Sequence, residues 1–170
     1  ALGDPRPEVW LREPAPTAIV IDTSASMAAA ADKDGNTRLD VALERARAEG
    51  LWVRGYVSMC FGDPWEGPVP VAQVVDVCRR LVDLGCDELS LGDTIGVGTT
   101  GHVHTLLEAL AAAGIGPDRV GVHFHDTYGQ ALSNTLAALR DGVTVVDAAA
   151  GGLGGCPYAK SATGNLATED

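Results

Sequence analysis

Basic residues are scarce in this 170-residue chain: 12 Lys and Arg stand against 23 Asp and Glu, a formal net charge of −11. With no basic cluster, that balance argues against a surface built for nucleic acid or an anionic membrane and points to a small-molecule partner. Long apolar runs are also missing. No stretch approaches the ~20 residues that span a bilayer, and the opening ALGDPRPEVW lacks the charged-then-apolar order of a signal peptide, so a cytoplasmic protein is expected. A Gly-rich dinucleotide fingerprint is absent as well. The four cysteines, Cys60, Cys78, Cys86 and Cys156, are spaced too widely and unevenly for a disulfide or zinc framework.

What remains is ordinary globular composition, 46% apolar and 21% charged, enough for one domain with a sizeable core. Short apolar runs at 18–22, 51–58, 88–91, 119–125 and 143–148 alternate with helix-patterned segments at 40–49, 71–84, 102–113 and 130–140. Strands alternating with helices of this length predict βα units and a parallel sheet. Gly50, Gly85, Gly114 and Gly142 stand just past the predicted helix ends. Cys78 falls in the apolar stripe of the second helix and Cys86 just before a strand, which makes both core residues. Three Asp-Thr pairs, Asp22-Thr23, Asp93-Thr94 and Asp126-Thr127, close strands at the edge where parallel α/β folds gather polar chemistry. The pattern fits either an open doubly wound sheet or part of a (β/α)₈ barrel. A whole barrel takes about 250 residues. The segment 3–16, GDPRPEVWLREPAP, has four prolines in fourteen residues and reads, with residues 1–16 as a whole, as an arm or linker ahead of a domain at 17–170.

The stretch VHFHDTYGQ, residues 122–130, places His123 and His125 on either side of Phe124. On a strand the two imidazoles share one face and Val120, Val122 and Phe124 share the other. Imidazoles two residues apart can hold one metal ion, or they can be a hydrogen-bonded pair in the core. His102 and His104, two apart on a helix, do not face each other and read as solvent residues.

RGYVSMCFGDPWEG, ELSLGDTIGVGT, VHFHDTYGQALSNTLAAL and VVDAAAGGLGGCPYAKSATGNLATED together resemble the 3-hydroxy-3-methylglutaryl-CoA lyases of the DRE-TIM metallolyase superfamily, over about two thirds of the chain. The resemblance implies a partial TIM barrel of about five parallel strands and a metal-dependent retro-Claisen cleavage of hydroxymethylglutaryl-CoA to acetyl-CoA and acetoacetate. It implies a divalent metal, Mg²⁺ or Mn²⁺, on His123, His125 and Asn165, with catalytic roles for His123, Cys156 and Asp93. The bland reading of Asn165 is a helix N-cap, and that of Asp93 a loop-capping carboxylate. Cys156 follows Gly151, Gly152, Gly154 and Gly155, a flexible loop that can close over a substrate. The implied partners are an acyl-CoA substrate, for whose coenzyme A phosphates the sequence has no evident motif and Arg54 and Lys160 are the candidate cations, and a second copy of the chain or a complementing segment.

The sequence departs from the family in three places. Its Arg-Asp-Gly motif, the source of an arginine and an aspartate metal ligand on the first barrel strand, has no counterpart here, residues 18–22 corresponding to the fourth strand. Met27 stands where a glutamate is usual, and Asp63-Pro64-Trp65 replaces a Cys-Pro-Tyr. These departures leave open a catalytically impaired remnant acting as a partner-binding half-barrel, or a paralogue for another 3-hydroxyacyl-CoA.

Overall fold

The computed structural model describes residues 19–21, 38–156, 162 and 164–170. The Pro-rich arm, the Asp22-Thr23 pair, Met27 and Lys160 lie outside the described residues. In chain order the elements are β1 (Ile19–Ile21), α1 (Arg38–Ala48), β2 (Val53–Val57), β3 (Gly62–Asp63), β4 (Gly67–Pro68), α2 (Val71–Leu84), β5 (Glu88–Asp93), α3 (Thr100–Ala112), β6 (Val120–Phe124), α4 (Ala131–Arg140) and β7 (Val145–Asp147).

Five strands pair in parallel in the order β1-β2-β5-β6-β7. The chain therefore advances one strand at a time in one direction. A doubly wound sheet reverses at a switch point and so puts helices on both faces. Without a reversal, right-handed crossovers lay every helix on the same face, as in a barrel wall. Neighbouring helices accordingly pack on one another, α2 on α3 and α3 on α4. The fold is an arc of a (β/α)₈ barrel. Among the described residues, β1 and β7 are its open edges.

The core lies between sheet and helices. Val53, Leu89, Leu91, Val120, Val122 and Phe124 bury their strand faces against Leu43, Val74, Cys78, Leu81, Val103, Leu106 and Leu110. Each fully buried aliphatic side chain contributes about 1.5–3 kcal/mol against exposure. In α2 the apolar positions 71, 74, 75, 78, 81 and 82 form one helical stripe. Its end is a Schellman turn: Gly85 takes φ 101°, its N–H reaches Val82, and Cys86 N–H reaches Leu81 O at 2.9 Å. At α3 the Thr99 hydroxyl caps the first turn, accepting from His102 N–H at 3.3 Å. The short β3–β4 hairpin has no counterpart in the sequence reading. Its turn is built by Asp63, whose Oδ1 accepts from the N–H groups of Trp65 (2.7 Å) and Glu66 (2.9 Å). Among the described residues no helix is long and apolar enough to cross a membrane.

Candidate active site

The helix-free face of β2, β5 and β6 is rich in polar side chains, and the histidines of β6 and its end stand where the strands give way to loops. His123 sits on β6 beside Gly92 of β5 and Asp147 of β7. His125 follows, buried, and pairs through its backbone with Asn165 in an isolated antiparallel bridge, while Leu166 N–H donates to Phe124 O at 3.1 Å. The imidazoles share one face as expected: their Nε2 atoms are 3.3 Å apart and the rings 5.3 Å apart at the centroids. Burial, and then the neighbouring His123, lowers the pKa of His125.

This donor set suits a divalent cation. Two imidazole nitrogens facing each other at 3.3 Å need a proton or a cation between their lone pairs. Donors at right angles around an ion with bonds of about 2.1 Å sit about 3 Å apart, close to that separation. The Oδ1 of Asn165 is buried with no hydrogen-bond partner, while its Nδ2 donates to Leu153 O at 2.8 Å and so fixes which atom is the free acceptor. Asn165 is thus a loop-bridging side chain rather than a helix cap. Among the described residues, no group of three His, Cys, Asp or Glu converges so as to hold a metal.

The two histidines line an open cleft of about 240 Å³ with Tyr56, Ser90, Thr94 and Cys156. At its rim Met59 takes a left-handed φ of 58°, its N–H held by Thr94 Oγ1 at 2.9 Å, an unusual backbone state of the kind found at functional edges. Asp93 is fully buried, and its carboxylate accepts from Val97 N–H (3.0 Å) and Gly98 N–H (2.9 Å). That is the geometry of a loop cap. Burial raises its pKa against the pull of these donors.

The loop carrying Cys156 is tied down more than its glycines suggested. Residues 162 and 164–168 return alongside it: Asn165 N–H reaches Gly152 O (3.1 Å), Gly164 N–H reaches Gly154 O (2.9 Å) and Cys156 N–H reaches Ala162 O (3.2 Å). Gly154 has φ 107°, and a Cβ there would stand 2.6 Å from Asn165 Nδ2. Gly154→Ala is therefore expected to cost about 1–3 kcal/mol, through backbone strain plus the displaced amide. Urea unfolding measures the cost, and a shifted Asn165 side-chain amide signal reports the displacement.

Cys156 is half-buried, whereas Cys60, Cys78 and Cys86 are buried. Burial pushes the Cys78 thiol up to about 12 and raises Cys60 and Cys86 as well. Brief alkylation followed by mass mapping should therefore label Cys156 first. Preferential labelling of Cys78 would count against this arrangement.

A charged row that the sequence reading missed lies behind the histidines. Arg54 of β2 pairs with Glu88 of β5 (Nε–Oε1 2.7 Å) and with Asp147 of β7 (Nη1–Oδ1 2.8 Å), and its guanidinium lies 5.0 Å from the centre of the Tyr56 ring. Arg54 is shielded from a coenzyme A phosphate, which corrects that expectation: its side chain is only 12% exposed, is paired with two carboxylates, and its remaining Nη2 is buried. Burial opposes the ionised form of Asp147, but donors on His123, Arg54 and Ser90 outweigh it and hold the pKa at about 2. Glu88 goes the other way, burial raising it more than Arg54 lowers it. Asp147 is therefore the principal counter-charge of Arg54, in keeping with its place among the causes that raise the arginine's own pKa.

A parallel arc of this kind, with paired imidazoles and a Gly-rich loop at the strand ends, defines part of an enzyme barrel of the TIM type. The chain belongs to the HMGL-like family, whose model matches residues 17–170. It is 54% identical over 133 residues to the mitochondrial hydroxymethylglutaryl-CoA lyase of Bos taurus, covering 78% of this chain and 41% of that one. The crystal structure of hydroxymethylglutaryl-CoA lyase from Pseudomonas aeruginosa superposes with a TM-score of 0.73 at 53% identity, over 78% of this chain and 44% of that one. An HMG-CoA lyase from Acinetobacter baumannii, solved with coenzyme A and 3-methylmalate, gives 0.72 at 35% identity over 77% and 42%. The chain spans less than half the length of each of these relatives.

Proposed function

We propose that this chain supplies the metal-binding and loop-bearing part of a lyase that cleaves 3-hydroxy-3-methylglutaryl-CoA to acetyl-CoA and acetoacetate. The observation that carries the reading is the convergence of the His123 and His125 Nε2 atoms beside the bridge to Asn165, at the mouth of a cleft that also receives Cys156. The relatives' names supply the substrate class.

His123, His125 and the free Asn165 Oδ1 would hold Mg²⁺ or Mn²⁺, hard or borderline ions suited to imidazole and amide oxygen. Bound there, such an ion would lower the pKa of the substrate's tertiary hydroxyl and orient the bond to be broken. Asp147 faces Nδ1 of His123, so only Nε2 addresses the cleft. Metal contact and proton transfer therefore draw on one lone pair and cannot coincide. Cys156 also lines the cleft, on the Gly-rich loop, and we assign this thiol protonation of the departing acetyl-CoA enolate. Asp93 shapes the site by holding the loop at residues 96–98.

The assay is acetyl-CoA release from hydroxymethylglutaryl-CoA by the chain mixed with the portion of the Pseudomonas aeruginosa relative that it leaves uncovered. Release should require Mg²⁺ or Mn²⁺ and fall at least 10²-fold in His125→Ala. A mixture that forms a stoichiometric complex yet releases no acetyl-CoA sinks the lyase reading. That outcome would favour a partner-binding half-barrel.

A further inference from the structure

Three groups meet at Asp147. Arg54 Nη1 donates to its Oδ1 at 2.8 Å, Ser90 Oγ donates to its Oδ2 at 2.8 Å, and the same Oδ2 faces Nδ1 of His123 at 3.6 Å. Arginine can only donate, so the oxygen it holds is fixed as an acceptor, and the carboxylate cannot turn away from the histidine without breaking that contact. An ionised carboxylate accepts and never donates.

We propose that Asp147 is a positioning residue: anchored by Arg54 and Ser90, it holds His123 as the Nδ1–H tautomer and so presents a bare Nε2 to His125 and the cleft. A histidine that ligates through one nitrogen commonly gives its other N–H to a carboxylate, which sets ring orientation and basicity. The arrangement also explains the contact between the rings. With His123 Nε2 bare, the 3.3 Å approach of His125 Nε2 is a hydrogen bond from His125, or it is bridged by a cation. His125 Nδ1, buried without a partner, is then a lone pair in the metal-free protein rather than a stranded N–H. The tautomer stands on this geometry alone. Its use in metal binding rests on the function proposed above.

Asp147→Asn makes a signed test. Arg54 keeps the oxygen of the introduced amide on its own side, which turns the NH₂ toward Ser90 and His123. Ser90 Oγ can accept instead of donate, and His123 Nδ1 must accept too, so its proton moves to Nε2. Long-range ¹H–¹⁵N spectra of the metal-free chain, labelled at histidine and recorded at about pH 8.5 where imidazole is neutral, read the tautomer directly. His123→Gln identifies the signal. The wild-type chain should show Nδ1–H at His123, Asp147→Asn should show Nε2–H, and Ser90→Ala, which removes one donor but not the carboxylate, should keep Nδ1–H.

A wild-type His123 in the Nε2–H form, or an Asp147→Asn chain still in the Nδ1–H form, overturns the proposal. Should Asp147→Asn fail to fold, the wild-type and Ser90→Ala spectra still decide it. Mn²⁺ titration followed by electron paramagnetic resonance separates the two readings: a tenfold or greater loss of affinity in Asp147→Asn is expected. A flipped tautomer with unchanged Mn²⁺ affinity would uphold Asp147 and overturn the metal reading.

Discussion

Arg54→Met is expected to lower the free energy of unfolding by about 3–5 kcal/mol, because it leaves two carboxylates in a shielded row without their cation. The side chains of Arg54, Glu88 and Asp147 are only 12%, 10% and 20% exposed, so water does little to compensate. Both carboxylates face the lost guanidinium, at 2.7 and 2.8 Å. The natural control is the Arg80–Asp76 pair on α2, of similar length at 2.7 Å but 74% and 59% exposed. Arg80→Met should cost no more than about 1 kcal/mol. Urea unfolding of the two variants is a direct comparison of the same chemistry in two settings. Equal, small losses in both would show that the row behind the histidines is solvated and that Asp147 is held by something other than Arg54.

That row shows where sequence reading stops. Arg54, Glu88 and Asp147 are spread over 93 residues in segments that read separately as apolar strands. Only the pairing of parallel strands aligns them, Arg54 beside Glu88 on β2–β5 and His123 beside Asp147 on β6–β7. A signal was present: each is a charge at an otherwise apolar strand, on the alternation that points away from the helices, where an enclosed face tolerates charge only in pairs. Strand β6 was legible for the same reason in reverse. Period two alone put His123 and His125 on one face, and the alternation of Val120, Val122 and Phe124 fixed the other.

The loops were read less well, because their partners are distant. Four glycines before Cys156 suggested freedom, whereas backbone bonds to Ala162 and from Gly164 and Asn165 tie that loop into a narrow return. Asp93 combines a family match with the contacts of a cap, and its sequence context, SLGDTIGVGT, is compatible with both. The choice between an open sheet and a barrel arc could not come from counting βα units either. It came from strand order, since the absence of a reversal decides on which face the helices lie.

These 170 residues on their own are expected to self-associate, and the face responsible can be named. On α4, Leu132, Leu136 and Leu139 stand at i, i+4 and i+7 and are 53%, 50% and 49% exposed, a single apolar stripe on the outside of the arc. In the sheet beneath, β7 is an open edge whose outer N–H and C=O groups have no strand partner among the described residues. A second copy laid along this side would cover both. Completing the burial of a half-exposed leucine contributes about 1 kcal/mol, half of its full value, so the stripe contributes about 3 kcal/mol, or roughly 10²-fold in Kd. The net charge of −11 opposes association and should make it stronger as salt rises. Sedimentation velocity on the wild-type chain and on the triple variant Leu132→Lys, Leu136→Lys, Leu139→Lys reads the effect. The wild type should sediment as a dimer or larger at concentrations where the variant, its helix propensity unharmed and its fold confirmed by circular dichroism, is monomeric. A wild-type chain that is monomeric at high salt would show that the stripe and the β7 edge are covered from within the chain itself. An association unchanged in the variant would move the contact to the β1 edge.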